Sequence, residues 1–210
     1  QWVAKGGAAR PERRWPVWRG RPRLTGTRRE RVPAPIPYLR AIPEKVAACG
    51  NRLDRLTPRG FKRIGIVWAG RPTHNNDRRR SATLALFAPL FNLPRVALVS
   101  LQKGPSADQT GKYFGRAPMI NVGAEITDYD DTMAIMDCLD MVVTVDTSVG
   151  HLAAAMGRPA WLLLDTAPDW RWFLDRSDPP CYPTVRLSRQ AFPRPCAHGP
   201  HRRAPALPGP

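Results

Sequence analysis

The chain has 210 residues, 42% of them hydrophobic, with a formal net charge of +16, enough for one medium domain with an ordinary core. No window approaches eighteen uninterrupted apolar residues, and residues 1–20 carry arginines and prolines where a secretory signal needs an apolar stretch. Neither a membrane span nor a signal peptide is expected, and the protein is read as soluble and cytoplasmic.

The charge suggests nucleic acid until it is located. Residues 1–32 hold ten Lys+Arg against two acids and residues 191–210 three against none, leaving +5 for residues 33–190. Both ends are rich in Arg, Pro, Gly and Ala, follow neither helical nor strand periodicity, and are expected to be disordered. They read either as basic arms that grip nucleic acid or an acidic surface, or as segments without a role of their own, including ends translated out of frame. The second reading is preferred, because a basic arm has no special need for Trp2, Trp15 and Trp18 at irregular spacing. Cys49, Cys138, Cys181 and Cys196 form no CxxC pair, so neither a zinc ribbon nor a disulfide scaffold is indicated, and the thiols are expected to stay reduced.

A proline-rich linker, VPAPIP, leads into a predicted helix over Ile42–Leu53, so residues 33–60 form a linker and lead-in helix. From Phe61 strands and helices alternate. RIGIVWAG (Arg63–Gly70) reads as a strand entering a loop, and TLALFAPLFNL (Thr83–Leu93) as a helix with Ser81 as its N-cap. Val96–Gln102 is a second strand, PSADQTGKYF a short helix opened by Pro105, and Met119–Val122 a brief strand. Asp130–Leu139 is a helix whose N-terminus is marked by Asp128, Asp130 and Asp131. Met141–Val145 is a strand, Thr147–Met156 a helix closed by Gly157 with Pro159 beyond, Ala160–Leu164 a strand, and DWRWFL a helical turn. Strands apolar along their whole length and separated by helices imply an α/β fold, a Rossmann-like parallel sheet with helices on both faces. That domain is placed at 61–190, with 191–210 as a disordered tail.

In such sheets ligands sit outside the carboxyl ends of the strands. The segment MVVTVDTSVGHLAAAMG puts Asp146, Thr147, Ser148, Val149, Gly150 and His151 where a strand passes into a helix. The helix's leading N–H groups lack intrahelical partners and its dipole favours an anion there. Thr147 and Ser148 offer hydroxyls, Gly150 removes a Cβ, and the spacing puts His151 on the same side of the first turn. SLQKG places Lys103 past a second strand at the same rim, with Gln102 beside it. The exit of the first strand, VWAGRPTHNNDRRRS, is a polar loop able to hold substrate, and carries Trp68, Gly70, His74 and Arg80. The bland alternatives are helix caps, core histidines and solvated loops. No GxGxxG or GxxxxGK[ST] occurs, which argues against a nicotinamide dehydrogenase and a P-loop NTPase, and no metal-ligand spacing is present. Trp170, Trp172 and Tyr182 are read as packing onto the sheet edge rather than stacking on a ligand.

Together, VWAGRPTHNNDRRRS, LVSLQKGP, ITDYDDTMAIMDCLDMVVTVDTSVGHLAAAMGRPAWLLL and APDWRWFLDRSDPPCYPTVRLSRQ resemble the C-terminal half of bacterial tetratricopeptide-repeat glycosyltransferases. That half is similar to glycosyltransferase family 9, the heptosyltransferases. The resemblance runs from about Ile36 to Gln190, and its most specific parts are Asp146 to Pro159 and APDWRWFLDR. It implies one half of a GT-B fold, the half that binds a UDP-, GDP- or ADP-sugar, with transfer that needs neither metal nor cofactor. On it, the turn Asp146–His151 matches the donor diphosphate and sugar turn, and Lys103 the basic residue near the phosphates. Gln102 shares that role, and Asp128 and Thr132 match nucleoside-side positions more loosely. Where many relatives show Asp-Thr-Gly, this chain has Asp146-Thr147-Ser148, so a heptose donor is not implied. The base that deprotonates the acceptor is expected in the other half, so the chain is expected to be inactive alone. The alternatives are a non-catalytic binding module of the same fold and, least favoured, a nucleic-acid binder acting through its basic ends.

Overall fold

The computed structural model describes residues 35–166, 168, 170–172, 177, 179 and 181–190. The expectations for residues 1–32 and 191–210, for Cys196 and for the three N-terminal tryptophans lie outside the described residues.

The first helix among the described residues, α1 (Pro43–Leu56), starts with Pro43 in its first turn, where a missing N–H costs nothing. Strands follow at β1 (Lys62–Val67) and β2 (Val96–Ser100). Next come β3 (Met119–Asn121), β4 (Met141–Val145), β5 (Ala160–Leu164) and β6 (Val185–Arg189). All pair in parallel in the order β3-β2-β1-β4-β5-β6. This is a doubly wound order, whose direction of winding reverses between β1 and β4.

Inward side chains alternate along the strands into two cores. Val67, Val99, Val142 and Leu162 share one core with Leu53 of α1, with Met133 and Met136 of α3 (Tyr129–Asp137), and with Leu152 and Ala153 of α4 (Ser148–Ala155). Ile66, Leu98 and Val143 face the other way, against Leu84, Phe87 and Leu90. The connection between β1 and β2 therefore covers one face, and α3 and α4, which follow β3 and β4, cover the other. Trp161 and Leu163 of β5 point to the β1–β2 connection's face and stay half-buried.

Two predicted features differ. Thr83–Leu93 is not an α-helix: Leu84–Leu90 winds as a 3-10 helix with Pro89 inside it, since proline withholds an N–H and a tighter turn tolerates it better. Ser81 is not its N-cap. It closes a one-turn helix, α2 (Asp77–Arg80), donating from Oγ to Asp77 Oδ1 at 2.7 Å and accepting from Gly70 N at 2.8 Å. The strand β6 had no predicted counterpart.

α3 opens on Asp128, whose Oδ1 accepts from Asp131 N at 2.8 Å. α4 closes on a Schellman motif: Gly157 N bonds Ala154 O, Arg158 N bonds Ala153 O, and Gly157 adopts φ 69°. Cys49, Cys138 and Cys181 are free thiols. Among the described residues no helix is long and apolar enough to cross a membrane.

Candidate functional site

A cleft of about 530 Å³ opens at the carboxyl ends of β1, β2 and β4, at the point where the winding reverses. Three strand exits and two helix starts build its wall. β1 continues into Ala69, Gly70 and Arg71; β2 continues into Gln102, Lys103 and Gly104; β4 delivers Thr147, Ser148 and Val149 at the head of α4. Ile126, Thr127, Asp128 and Tyr129 bring the head of α3 to the same opening.

The head of α4 supplies directed N–H groups. Thr147 takes the N-cap position in an extended conformation without a side-chain cap, so the first amides of the helix rely on groups outside it. Its own hydroxyl is engaged inward. Thr144 Oγ1 donates to Val145 O at 2.9 Å, so the 3.1 Å contact between the two threonine hydroxyls has Thr147 as donor. Ser148 is exposed on the cleft wall. Of the two hydroxyls expected to face an anion, only that of Ser148 is available as a donor.

Arg71, Arg80 and Lys103 are the cations among the described lining residues. Arg80 packs across Gly70: a Cβ there would sit 2.7 Å from Arg80 Nη2, and Arg80 Nε lies 3.7 Å from Asp77 Oδ1. Lys103 Nζ donates to Ile126 O, which ties the β2 exit to the segment before α3. Asp128 is the one carboxylate among these residues. Its Oδ1 caps α3 and its Oδ2 lies 3.5 Å from Lys45 Nζ, so it serves the helix head rather than the cleft. Thr132, buried beneath, donates from Oγ1 to Asp128 O.

Gln102 is 2% exposed. Its Oε1 accepts from Trp68 N at 3.0 Å and Ala69 N at 2.9 Å, and its Nε2 donates to Ala69 O at 3.0 Å and Lys103 O at 2.9 Å. Both amide hydrogens are engaged, which leaves Gln102 no donor for a phosphate. The expectation that it shares this role with Lys103 is corrected on that ground.

The remaining predicted residues lie elsewhere. Trp68 is fully buried in the core under Leu84–Leu90. Gly150 faces the sheet: a Cβ would meet Thr144 and Leu162 at 3.2–3.3 Å, so its small size serves helix-to-sheet packing and not ligand approach. His151 does not share a side with Ser148. Its ring stacks on Trp172 with centroids 4.6 Å apart and meets Tyr182 edge-on at 6.1 Å. Asp146 turns the same way, accepting from Trp172 Nε1 at 2.9 Å. Trp172, at 0% exposure, is core and not ligand platform, while Trp170's side chain lies outside the described residues. Burial, with a bond to the Tyr38 hydroxyl, pushes the Tyr182 phenol well above its ordinary range. His74 accepts from Asn76 N on its own exposed loop. Arg71, Tyr129 and Gly104 line the cleft without having been singled out from the sequence; Arg71 directly follows the predicted strand end at Gly70, and that adjacency was the available signal. Among the described residues no three His, Cys, Asp or Glu side chains gather to hold a metal ion.

Comparison with known proteins follows this geometry. Residues 116–163, which run from just before β3 into β5, match the family model for glycosyltransferase family 9 (heptosyltransferase). Protein FlbA of Caulobacter vibrioides is 26% identical over 166 residues, 75% of this chain and 26% of its own length. The structure of Escherichia coli ADP-heptose LPS heptosyltransferase II superposes with a TM-score of 0.51 at 17% identity, covering 75% of this chain and 47% of that one. The family 9 glycosyltransferase of Veillonella parvula gives 0.51 at 15% identity, covering 72% and 42%. The chain thus spans about a quarter of FlbA and under half of either solved structure. Over roughly three quarters of its length, its fold is that of the family 9 glycosyltransferase structures.

Proposed function

We propose that residues 61–190 form the nucleotide-sugar-binding domain of a GT-B glycosyltransferase of the tetratricopeptide-repeat type, with the donor's diphosphate at the head of α4. The observation that carries this reading is the convergence of the exposed Ser148, the leading amides of α4 and the side chains of Arg71, Arg80 and Lys103 on one cleft at the switch point of the sheet. The donor's diphosphate carries two negative charges and gains a third as the nucleoside diphosphate leaves; that charge needs fixed positive dipoles and cations, and this cleft offers both. Tyr129, 59% exposed at the rim, gives the nucleoside an aromatic face. Asp128 and Thr132 support that side by fixing the head of α3, and Gly70 supports it by admitting Arg80.

Transfer also requires a base for the acceptor hydroxyl. Asp128, the lining carboxylate, is committed to its cap and to Lys45. We therefore assign the base and the acceptor site to a second domain facing this one, and expect the present chain to bind donor without transferring sugar.

Calorimetry with UDP, GDP and ADP and their sugars tests the reading. Binding of at least one, weakened about tenfold or more by Lys103→Ala combined with Arg80→Ala, is the expected result. No heat with any of them overturns it, and sugar transfer by this chain alone would overturn the placement of the base.

A further inference from the structure

We infer that Gln102 is a positioning residue that locks the exits of β1 and β2 into one rigid rim. Three strand exits meet at this residue. Its side chain holds Trp68 and Ala69 of the β1 exit through both N–H groups and through Ala69 O, and its Nε2 also holds Lys103 O in its own loop. Its backbone carbonyl is approached so closely by Gly123, past β3, that a Cβ on Gly123 would lie 1.9 Å from Gln102 O.

The four side-chain bonds have a direction that only a carboxamide satisfies. One end must accept two N–H groups and the other must donate to two carbonyls. A carboxylate offers no donor, a methionine offers no donor and only a weak acceptor, and at 2% exposure water does not replace what is lost. Immediately past the clamp lie Gly70 and Arg71 on one side and Lys103 and Gly104 on the other, all lining the cleft. The clamp therefore fixes the spacing between cations on two separate loops without touching anything bound there. Its consequence for nucleotide affinity rests on the donor reading above; the clamp itself does not.

Amide hydrogen exchange on the unliganded chain tests the clamp, and calorimetry with UDP and ADP tests its consequence. In the wild type, Trp68 and Ala69 amides are expected to exchange at least tenfold more slowly than those of Thr73 and Asn75, although both pairs lie beyond the strand end. In Gln102→Glu at pH 8, exchange should rise together at residues 68–71 and 103–104 and stay unchanged in β4 and β5. Affinity for the nucleotide that the wild type binds should fall about tenfold and recover in part on acidification, when a protonated carboxyl regains one donor; a loss from general loosening would not reverse with protonation. Fast wild-type exchange at Trp68 and Ala69, or unaltered exchange in the folded variant, overturns the inference even if nucleotides bind. Coupled loosening in a chain that binds no nucleotide upholds the clamp and removes the donor reading instead. Should Gln102→Glu fail to fold, the wild-type exchange pattern decides alone.

Discussion

Trp172 Nε1 donates to Asp146 Oδ1 at 2.9 Å, which ties the segment after β5 to the residue that follows β4. The same Asp146 oxygen lies 3.8 Å from His151 Nε2, and Arg189 of β6 donates to Trp172 O at 2.6 Å. The turn that starts α4 is thereby braced from behind by an aromatic cluster, on the side away from the cleft.

Replacing Trp172 grades the loss of bond and bulk. Trp172→Phe keeps a ring against His151 but removes the donor to a carboxylate and part of a fully buried volume, so about 1–3 kcal/mol of stability or more should be lost. Trp172→Ala also empties a fully buried volume and should lose about 3–5 kcal/mol. Denaturant unfolding of both variants checks this; a Phe variant as stable as the wild type would show that the indole N–H contributes nothing.

Thr147 and Ser148 are adjacent and chemically alike, yet their exchange should have opposite effects. Thr147→Val removes a buried hydroxyl that bonds Thr144 Oγ1 and should lower stability by about 1 kcal/mol while nucleotide affinity changes little. Ser148→Ala removes an exposed hydroxyl on the cleft wall, so stability should stay within about 0.5 kcal/mol. Its affinity for a nucleoside diphosphate should drop about three- to tenfold. Paired thermal unfolding and calorimetry distinguish the two, and reversed effects would place the anion elsewhere.

Much of the sheet was legible because its signals are local. β4 and β5 match their predicted bounds, since each is a short apolar run, and Gly157 with Pro159 marks the boundary between α4 and β5. β6 was missed because Val185-Arg186-Leu187-Ser188-Arg189 alternates as an edge strand does, with only Val185 and Leu187 buried, and carries no apolar run. Spacing along α4 placed His151 beside Ser148, but a helix face shared in sequence is divided by tertiary neighbours. Trp172 and Tyr182 draw the imidazole away. Gln102 read as a polar residue next to a lysine, and nothing in a linear sequence reveals that Trp68 and Ala69 engage its amide.

Gly123 offers a test of how tightly the rim is assembled. Its lack of a Cβ lets the β3 exit rest directly on Gln102 O, a backbone atom that cannot swing aside. Gly123→Ala must move one of two strand exits and should destabilise the fold by about 1–3 kcal/mol or more, unlike Gly111→Ala, where a Cβ meets nothing within 4 Å. Equal denaturation midpoints for the two variants would contradict the close approach.

Asp131 makes the link between α1 and α3 sensitive to acid. The Lys45 ammonium, 2.6 Å from Oδ1, and two bonds from Thr127 to Oδ2 hold its carboxyl far below the ordinary carboxylate range. A folded-state pKa below the unfolded value of about 3.9 means that the ionised form favours the folded chain. This contribution is complete above about pH 4 and disappears as pH falls through the folded value. Lys45→Met removes the largest cause and leaves the Thr127 bonds, so the Asp131 carboxyl should titrate closer to its ordinary value while remaining below it. The variant should then be less stable than the wild type from neutrality down to about pH 4, and the gap should close as pH falls further and Asp131 becomes protonated in both. Carboxyl-detected NMR titration follows the pKa and circular dichroism follows unfolding; an Asp131 titration unmoved by Lys45→Met would show that Thr127 alone holds the carboxylate.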